Sequence, residues 1–456
     1  MSDLLSLLSL GSSGITAHNT GIAIATNNVA NVDTLGYSRQ RVDLASLPAA
    51  PLVGGVRSLG PERLASELLA DRLRDATGGL GQASARASAL RELEQRLTGD
   101  GPSVDARLTA LFGRFSELAA APTDPTLRAA TVDGAHDLAA AIRRRAHDLD
   151  DAGVEADARL GDLAREAGGL ATELAAANVA VARSPDDPTL ADRRDLLARQ
   201  LSALVGGQAR IDGDGQLRYV LDGGAVLVDG ELAAAFTTQR DATTGSLRVQ
   251  LGSGAATRDV TGDLAGGALG GVVAFRDGPL ATLRTELDQY AYELATAFNG
   301  VHRAGAGLDG VTGRDLFVPT ATATGAAAAF AVDPGVAADA TWLATAAAGA
   351  GPGDNQAALA LRGLADSPVV AGGTRTPVDG YLAMIGALAT ASRAAQADAA
   401  QGELVTDHLG DLRDALAGVD LQEELASLSR FENTTRALTR FVATVDDLLR
   451  SMIQEL

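Results

Sequence analysis

Apolar residues recur at helical spacing at both ends of the chain and alternate with polar ones in part of its middle. Near the N-terminus, Leu8, Ile15, Ile22 and Val29 repeat every seven residues, a stripe along one side of a helix. Gly11, Gly14 and Gly21 oppose that stripe and weaken it. Asn27, Asn28 and Asn31 crowd the end of the helix, where Asn supplies local hydrogen bonds, and Gly36-Tyr37 marks the exit turn. After Gly418 the chain holds neither Gly nor Pro. Leu421, Leu425, Leu428, Phe431, Leu438, Val442, Val445, Leu449, Met452 and Leu456 follow, and from Leu428 they fit an a/d heptad with Thr435 as its polar break. A helix over 418–456 would be a rod of roughly 58 Å. Seams at both ends predict that the terminal helices lie side by side.

Between them, 62–98 and 103–120 read as helices rich in Ala, Leu, Arg and Glu. A longer helical stretch, 125–183, is expected to be interrupted at Gly134, Gly153 and Gly168-Gly169. Pro185-Asp186-Asp187-Pro188 is a turn, and 190–205 resumes a helix. Residues 208–262 change texture: short alternating segments at 217–221, 225–228 and 247–251 are separated by Gly-Asp turns, which predicts β structure. Helices return at 277–303 and 379–417, and the Ala/Gly/Thr-rich stretch 305–377 reads as a second part of the β region. Proline is confined to positions from Pro48 to Pro377, which frees both ends to run as helices. The predicted fold is mainly α with an inserted β domain: long terminal helices paired like a coiled coil, a central helical bundle and an outer β domain.

Composition narrows the chemistry. Apolar residues make up 46% of the 456 and aromatics 3%, so the interior falls to Ala, Leu and Val. All 38 basic residues are Arg, which excludes Schiff-base chemistry and a phosphate-loop lysine on this chain. With no Cys, disulfides, thiolate metal sites and cysteine nucleophiles are excluded. A formal charge of −20 argues against a nucleic-acid partner. No apolar run reaches the length of a membrane span, so no membrane partner is expected. The N-terminal ten residues carry Asp3 where a secretory signal would be basic, which leaves residence in the cytosol or export without cleavage.

No catalytic constellation emerges, and neither metal nor cofactor is expected. His18, His136, His147, His302 and His408 form no HExxH and read as solvated surface residues. Asp212-Gly213-Asp214-Gly215 lacks the later ligands of a calcium loop and reads as a turn, and Gly252-Ser253-Gly254 is too short for a dinucleotide fingerprint. Arg143-Arg144-Arg145, followed by Asp148, Asp150 and Asp151, reads as a solvated helix face. Arg430 and Arg436, with Glu423, Glu424 and Glu432, lie off the C-terminal seam and are expected to set lateral register between helices. The function that remains is association, and the chain is not expected to be an enzyme.

The run Asn27-Asn28-Val29-Ala30-Asn31-Val32-Asp33-Thr34-Leu35-Gly36-Tyr37-Ser38-Arg39 resembles the N-terminal signature shared by rod, hook and hook-associated proteins of bacterial flagella. Within that group, Leu190–Leu197 with Leu201–Gly206 is similar to a helix of the first hook-associated protein family. Leu269–Arg276 followed by Ala297-Phe298-Asn299 and His302, and Val419–Leu425 with Leu428 and Phe431, resemble two more of its segments, in the family's order. Around 55–74 the chain departs from that pattern at Pro61 and Ser66.

The resemblance implies a structural protein of the hook–filament junction, secreted through the flagellar type III route and required for filament assembly. Its implied partners are other copies of itself in a closed ring of about eleven subunits, the hook protein, the second hook–filament junction protein and an export chaperone on the C-terminal helix. Its implied layers are an inner tube from 1–47 and 418–456, a helical rod-like domain from 48–207, 263–304 and 378–417, and an outer β-rich domain from 208–262 and 305–377. The implied assembly residues are the motif positions Asn27, Asn28, Asn31, Gly36, Tyr37 and Arg39. With them stand the seam positions Leu8, Ile15, Ile22, Val29, Leu428, Leu438, Val442, Val445 and Leu449. A hook or distal-rod component is the principal alternative, and the 190–206 helix discriminates against it. A flagellar scaffold carrying a zinc protease would need HExxH, and a non-flagellar helical scaffold would leave the Asn-Asn…Gly-Tyr-Ser-Arg loop unexplained.

Overall fold

A computed structural model describes residues 2–47, 54–99, 101, 103–253 and 256–454. Of the positions named above, Pro48, Gly254 and Leu456 lie outside the described residues. In chain order the elements are α1 (Ser2–Ala30), β1 (Gln40–Leu47), β2 (Gly55–Arg63), α2 (Glu67–Thr98), α3 (Val104–Ala120), α4 (Pro125–Arg183) and α5 (Pro188–Val205). The strands β3 (Gln208–Ile211), β4 (Leu217–Val220), β5 (Val226–Asp229), β6 (Leu232–Ala233), β7 (Ala235–Arg240), β8 (Leu247–Ser253) and β9 (Ala256–Asp259) follow. Then come α6 (Gly267–Phe275), a π-helical turn (Arg276–Leu280), α7 (Ala281–Ala304), β10 (Gly305–Ala306), α8 (Pro334–Ala338), β11 (Ala346–Ala347), α9 (Gln356–Gly363), α10 (Pro377–Ala417) and α11 (Leu421–Gln454). The chain is mainly α with β material inserted in its middle, as its patterning predicts.

The residues group into two compact units. The first comprises 1–82, 163–270 and 400–456, the second 83–162 and 271–399. In the first unit, α1 packs along α11, and the antiparallel hairpin β1–β2 packs on α1. Two further antiparallel sheets, ordered β3-β4-β5-β6 and β7-β8-β9, supply the rest of its β structure among the described residues. Asn178 on α4 ties the first of these down: Nδ2 donates to the carbonyls of Leu217 and Gly230, and Oδ1 accepts from the Leu217 N–H. The turn at Asp212 closes β3 onto β4, its carboxylate accepting from the N–H groups of Asp214 and Gln216.

The second unit concentrates the scarce aromatics. Phe298 stacks on Phe112 at 5.7 Å and meets Phe317 edge-on at 5.4 Å, and Phe317 meets Phe330 at 4.6 Å. Leu90, Leu93, Leu108, Leu111, Leu118, Leu138 and Ile142 complete that core. Beside it, the guanidinium of Arg128, 1% exposed, donates to the carbonyls of Pro122 and Leu343 and to the Thr345 hydroxyl. Among the described residues no carboxylate pairs with it, and burial lowers its pKa to about 10.

Several expectations need correction. Helix α4 runs unbroken through its glycines: a helical Gly costs roughly 1 kcal/mol, and the buried Ala and Leu along α4 outweigh that. The stretch 305–377 is not a second β region. It holds two-residue strands, short helices and turns closed by Asp309, Asp333, Asp339 and Asp354, and it belongs to the other unit from 208–262. Asx turns explain why this segment shows no alternation. Hairpin β1–β2 was not anticipated, and α2 begins at Glu67 rather than 62.

His302 and Arg145 are buried rather than solvated. The His302 Nδ1–H donates to the Arg314 carbonyl at 2.7 Å and Nε2 accepts from the Ala344 N–H at 3.0 Å, while Arg145 donates to the Arg96 carbonyl and pairs with Asp148. Burial lowers the His302 pKa.

Candidate functional site

The signature segment forms a knot at the end of α1, where six elements of the first unit meet. The helix closes through Asn27 and Asn31: the Asn31 N–H bonds the Asn27 carbonyl at 3.1 Å, and its Nδ2 donates to the Asn27 Oδ1 at 2.8 Å. Asn28 turns inward and is fully buried. Its Nδ2 donates to the Gln40 carbonyl at 2.8 Å, and its Oδ1 accepts the Gln40 N–H at 2.9 Å and the Tyr37 hydroxyl at 2.8 Å. One amide thus stands in for a strand neighbour at the start of β1 and also fixes the Tyr ring. Satisfying every polar atom is what permits an Asn at full burial.

Gly36 is required on two counts. Its φ is +84°, and an added Cβ would sit 3.3 Å from the Leu196 side chain on α5. The next residue commits the loop to α5: the Ser38 N–H donates to Asp192 Oδ2 at 2.9 Å. Arg63 on β2 spans the same carboxylate at 3.1 Å and Asp195 at 2.7 Å. Burial raises the Asp192 pKa against the opposing pull of Ser38 and Arg63. Burial also pushes the Tyr37 phenol up to about 12, helped by the charges of Asp192 and Glu424.

Arg39 binds the other end of the chain. Its N–H donates to the Ala417 carbonyl at 2.7 Å, and its guanidinium reaches Glu424 at 2.6 Å and Glu423 at 3.0 Å. Burial opposes its charge, but the two glutamates outweigh it and hold its pKa above the usual value. Arg413 on α10 donates to the Tyr37 carbonyl at 2.7 Å. Asp420 caps α11, accepting from the N–H groups of Gln422 and Glu423.

Beyond the knot, α1 and α11 meet along small residues on one helix and large ones on the other. A Cβ added at Gly11 would lie 2.5 Å from Val442, at Gly14 2.9 Å from Leu438 and at Gly21 2.8 Å from Phe431. The glycines are the contact face of α1 and not its weak side. The anticipated stripe of Leu8, Ile15, Ile22 and Val29 flanks that face, half-buried. On α11, Leu428, Leu438 and Val442 are half-buried and Val445 and Leu449 buried.

The charges expected to set lateral register are partly spoken for. Glu423 and Glu424 serve Arg39, and Glu432 pairs with Arg436 on its own helix at 3.4 Å. Among the described residues no group of three or more acidic, His or Cys side chains could hold a metal, and no helix is long and apolar enough to cross a membrane.

All six motif residues therefore gather in one place. The reading from sequence did not foresee that Asp192, Arg63 and Arg413 join them. The available signal was the Asp192-Arg193-Arg194-Asp195 run inside an otherwise leucine-rich helix.

The profile described as the helical domain of flagellar hook-associated protein FlgK matches residues 90–317, half of the chain. The chain belongs to the FlgK family of flagellar hook-associated proteins. Flagellar hook-associated protein 1 of Bacillus subtilis is 25% identical, with 96% of both chains covered. Its Salmonella typhimurium namesake is 27% identical over 329 residues, 68% of this chain and 59% of that one, so the matched stretch spans under two thirds of that FlgK relative. The solved flagellar hook junction protein FlgK from Burkholderia pseudomallei shares the fold, with a TM-score of 0.66 at 16% identity, covering 76% of this chain and all of that one.

Proposed function

We propose that this chain is a structural subunit of the bacterial flagellum, exported and built in where the hook meets the filament, and that filament growth requires it. The observation that carries this reading is the knot of Asn28, Tyr37 and Arg39 joining α1 to α10 and α11 in a chain of the FlgK family. On this reading, copies of the chain close into a ring of about eleven through heterologous contacts, seated on the hook protein and followed by a second junction protein. Residues 1–47 and 418–456 line the inner tube, the long helices build the layer around it, and the β sheets of 208–262 face outward. The chain works by association, without catalysis, cofactor, metal, nucleic acid or membrane.

The uncovered face of α11 is the assembly surface. Much of α11 is uncovered: Leu425, Leu448 and Ile453 are more than half exposed, and Leu421, Phe441 and Met452 more than a third. Such a face suits both neighbouring subunits and, before export, a chaperone that clasps an amphipathic helix.

Electron microscopy of a strain lacking the chain tests the proposal. Hooks without filaments are expected; basal bodies without hooks would place the chain in the hook or rod instead.

A further inference from the structure

Within the second unit, α7, the turn at 370–375 and the start of α10 border an open cleft of about 580 Å³. Its floor is apolar: Val370 is fully buried, Met384 and Tyr290 are nearly so, and Ala387 adds a methyl group. The Tyr290 hydroxyl is spent on the Pro377 carbonyl, so that residue offers the cleft only its ring.

The walls are unfinished in two ways. Glu293 on α7 accepts from the Gly372 N–H at 3.1 Å and from Gln289 at 2.8 Å, both on Oε1, while its Oε2 is buried without a hydrogen-bond partner. A carboxylate oxygen left in that state costs free energy that an incoming donor would recover. The turn that Glu293 holds is strained: Ala371 has a φ of +53°, alone among the described non-glycine residues in being positive, and Gly372 and Gly373 follow at +67° and +80°. Such strain persists where surrounding contacts enforce it, and it gathers at ligand clamps.

Charge in the cleft is uneven. Glu286 lies two turns before Glu293 on the same side of α7, exposed and without an ion pair among the described residues. Arg375, the cation that lines the cleft, is exposed and likewise without an ion pair there. Two carboxylates against one guanidinium leave the site negative.

We propose that this cleft receives a basic side chain, carried on an apolar segment of a different protein, with Glu293 as the carboxylate that meets it. Charge complementarity selects the occupant: the aliphatic stem of the base covers Val370 and Met384 while its head supplies the donor that Oε2 lacks. The chain's own net charge of −20 favours a partner of opposite sign over a second copy at this site.

Two peptides test it, acetyl-Leu-Arg-Leu-amide and its citrulline counterpart, which keeps the shape of arginine and removes the charge. Titrated into the purified protein while NMR follows the amides of 371–375, the arginine peptide is expected to bind about tenfold more tightly. Glu293→Gln should abolish that preference, and because Gln still accepts from the Gly372 N–H, the turn should hold. Arg375→Ala should tighten binding by removing a competing cation. Ala387→Trp, which fills the cleft and leaves Glu293 in place, should block both peptides.

Equal binding of the two peptides, a preference that survives Glu293→Gln, or no binding at all would overturn the proposal. Agmatine bound as tightly as the arginine peptide would overturn it too, by making a small free cation the occupant. In flagella, a photo-reactive residue at position 387 is expected to cross-link to an arginine- or lysine-bearing peptide of another protein. A cross-link to a second copy of this chain, or to a peptide without either base, would count against it decisively.

Discussion

Asn28 and Gln40, twelve residues apart, exchange two hydrogen bonds through the side-chain amide of one and the main chain of the other, at 2.8 and 2.9 Å. Replacing that amide with a methyl group strands the Gln40 N–H and carbonyl and frees the Tyr37 hydroxyl. Net hydrogen bonds are worth about 0.5–1.5 kcal/mol each, and stranded buried groups cost more. Asn28→Ala is therefore expected to lower the opening free energy of the knot by about 2–4 kcal/mol. Hydrogen exchange at the amides of 37–44 in the purified protein reads this directly; unchanged protection would mean that the amide is dispensable.

Gly21 should not tolerate even a methyl group. Ala gains about 1 kcal/mol of helix propensity over Gly, yet its Cβ would lie 2.8 Å from the Phe431 ring. Gly21→Ala is expected to weaken protection of α11 despite the better helix, and Phe431→Leu in the same chain should restore part of it. A gain in protection from Gly21→Ala alone would show that the Phe431 ring moves aside for the methyl group and that the glycine is not required there.

Arg128 is held by carbonyls and one hydroxyl rather than by an acid. Lysine has a single point of donation and cannot span acceptors from Pro122 to Thr345. Arg128→Lys should cost about 2–4 kcal/mol through stranded acceptors, seen as a lower melting temperature by calorimetry. A variant as stable as the parent would mean that those carbonyls find other donors.

His302 sets an acid limit on the second unit. Burial lowers its pKa, so between that value and the usual 6.5 or so of a free imidazole the unfolded chain holds more protons than the folded one. The His302 contribution is therefore complete above that usual value and is lost as pH falls through the folded pKa. Urea midpoints measured from pH 8 to pH 5 should fall more steeply for the parent than for His302→Gln, which carries no titrating group. Parallel slopes would remove His302 as the cause.

How much of this was legible beforehand depends on the kind of signal. Long helices announce themselves by period, and α3, α5, α10 and α11 lie within a few residues of where the apolar spacing puts them. The motif residues were legible because Asn, Gly and Tyr at those spacings have few alternative uses. The face that α1 presents to α11 was not, since a periodicity of large side chains hides a contact made of glycines. The stretch 305–377 was misread because its order comes from single Asp side chains and from Asn299, His302 and Arg128, none of which leaves a period. Asp192 escaped for a related reason: a carboxylate inside a helix looks solvated until a partner more than 150 positions away in the chain is known.

The bond from the Arg39 N–H to the Ala417 carbonyl, with the grip of Arg39 on Glu423 and Glu424, has a kinetic meaning as well. These contacts close a loop of 378 residues or more, so the knot cannot form early from local encounters. High contact order of this kind slows folding. Until α10 is complete and α11 has begun, Arg39 has no acceptor for its N–H and no acid for its side chain. The first helix of the chain must wait for the last, and a molecule whose two ends have not met carries a visible, unpaired arginine as the sign that it is unfinished.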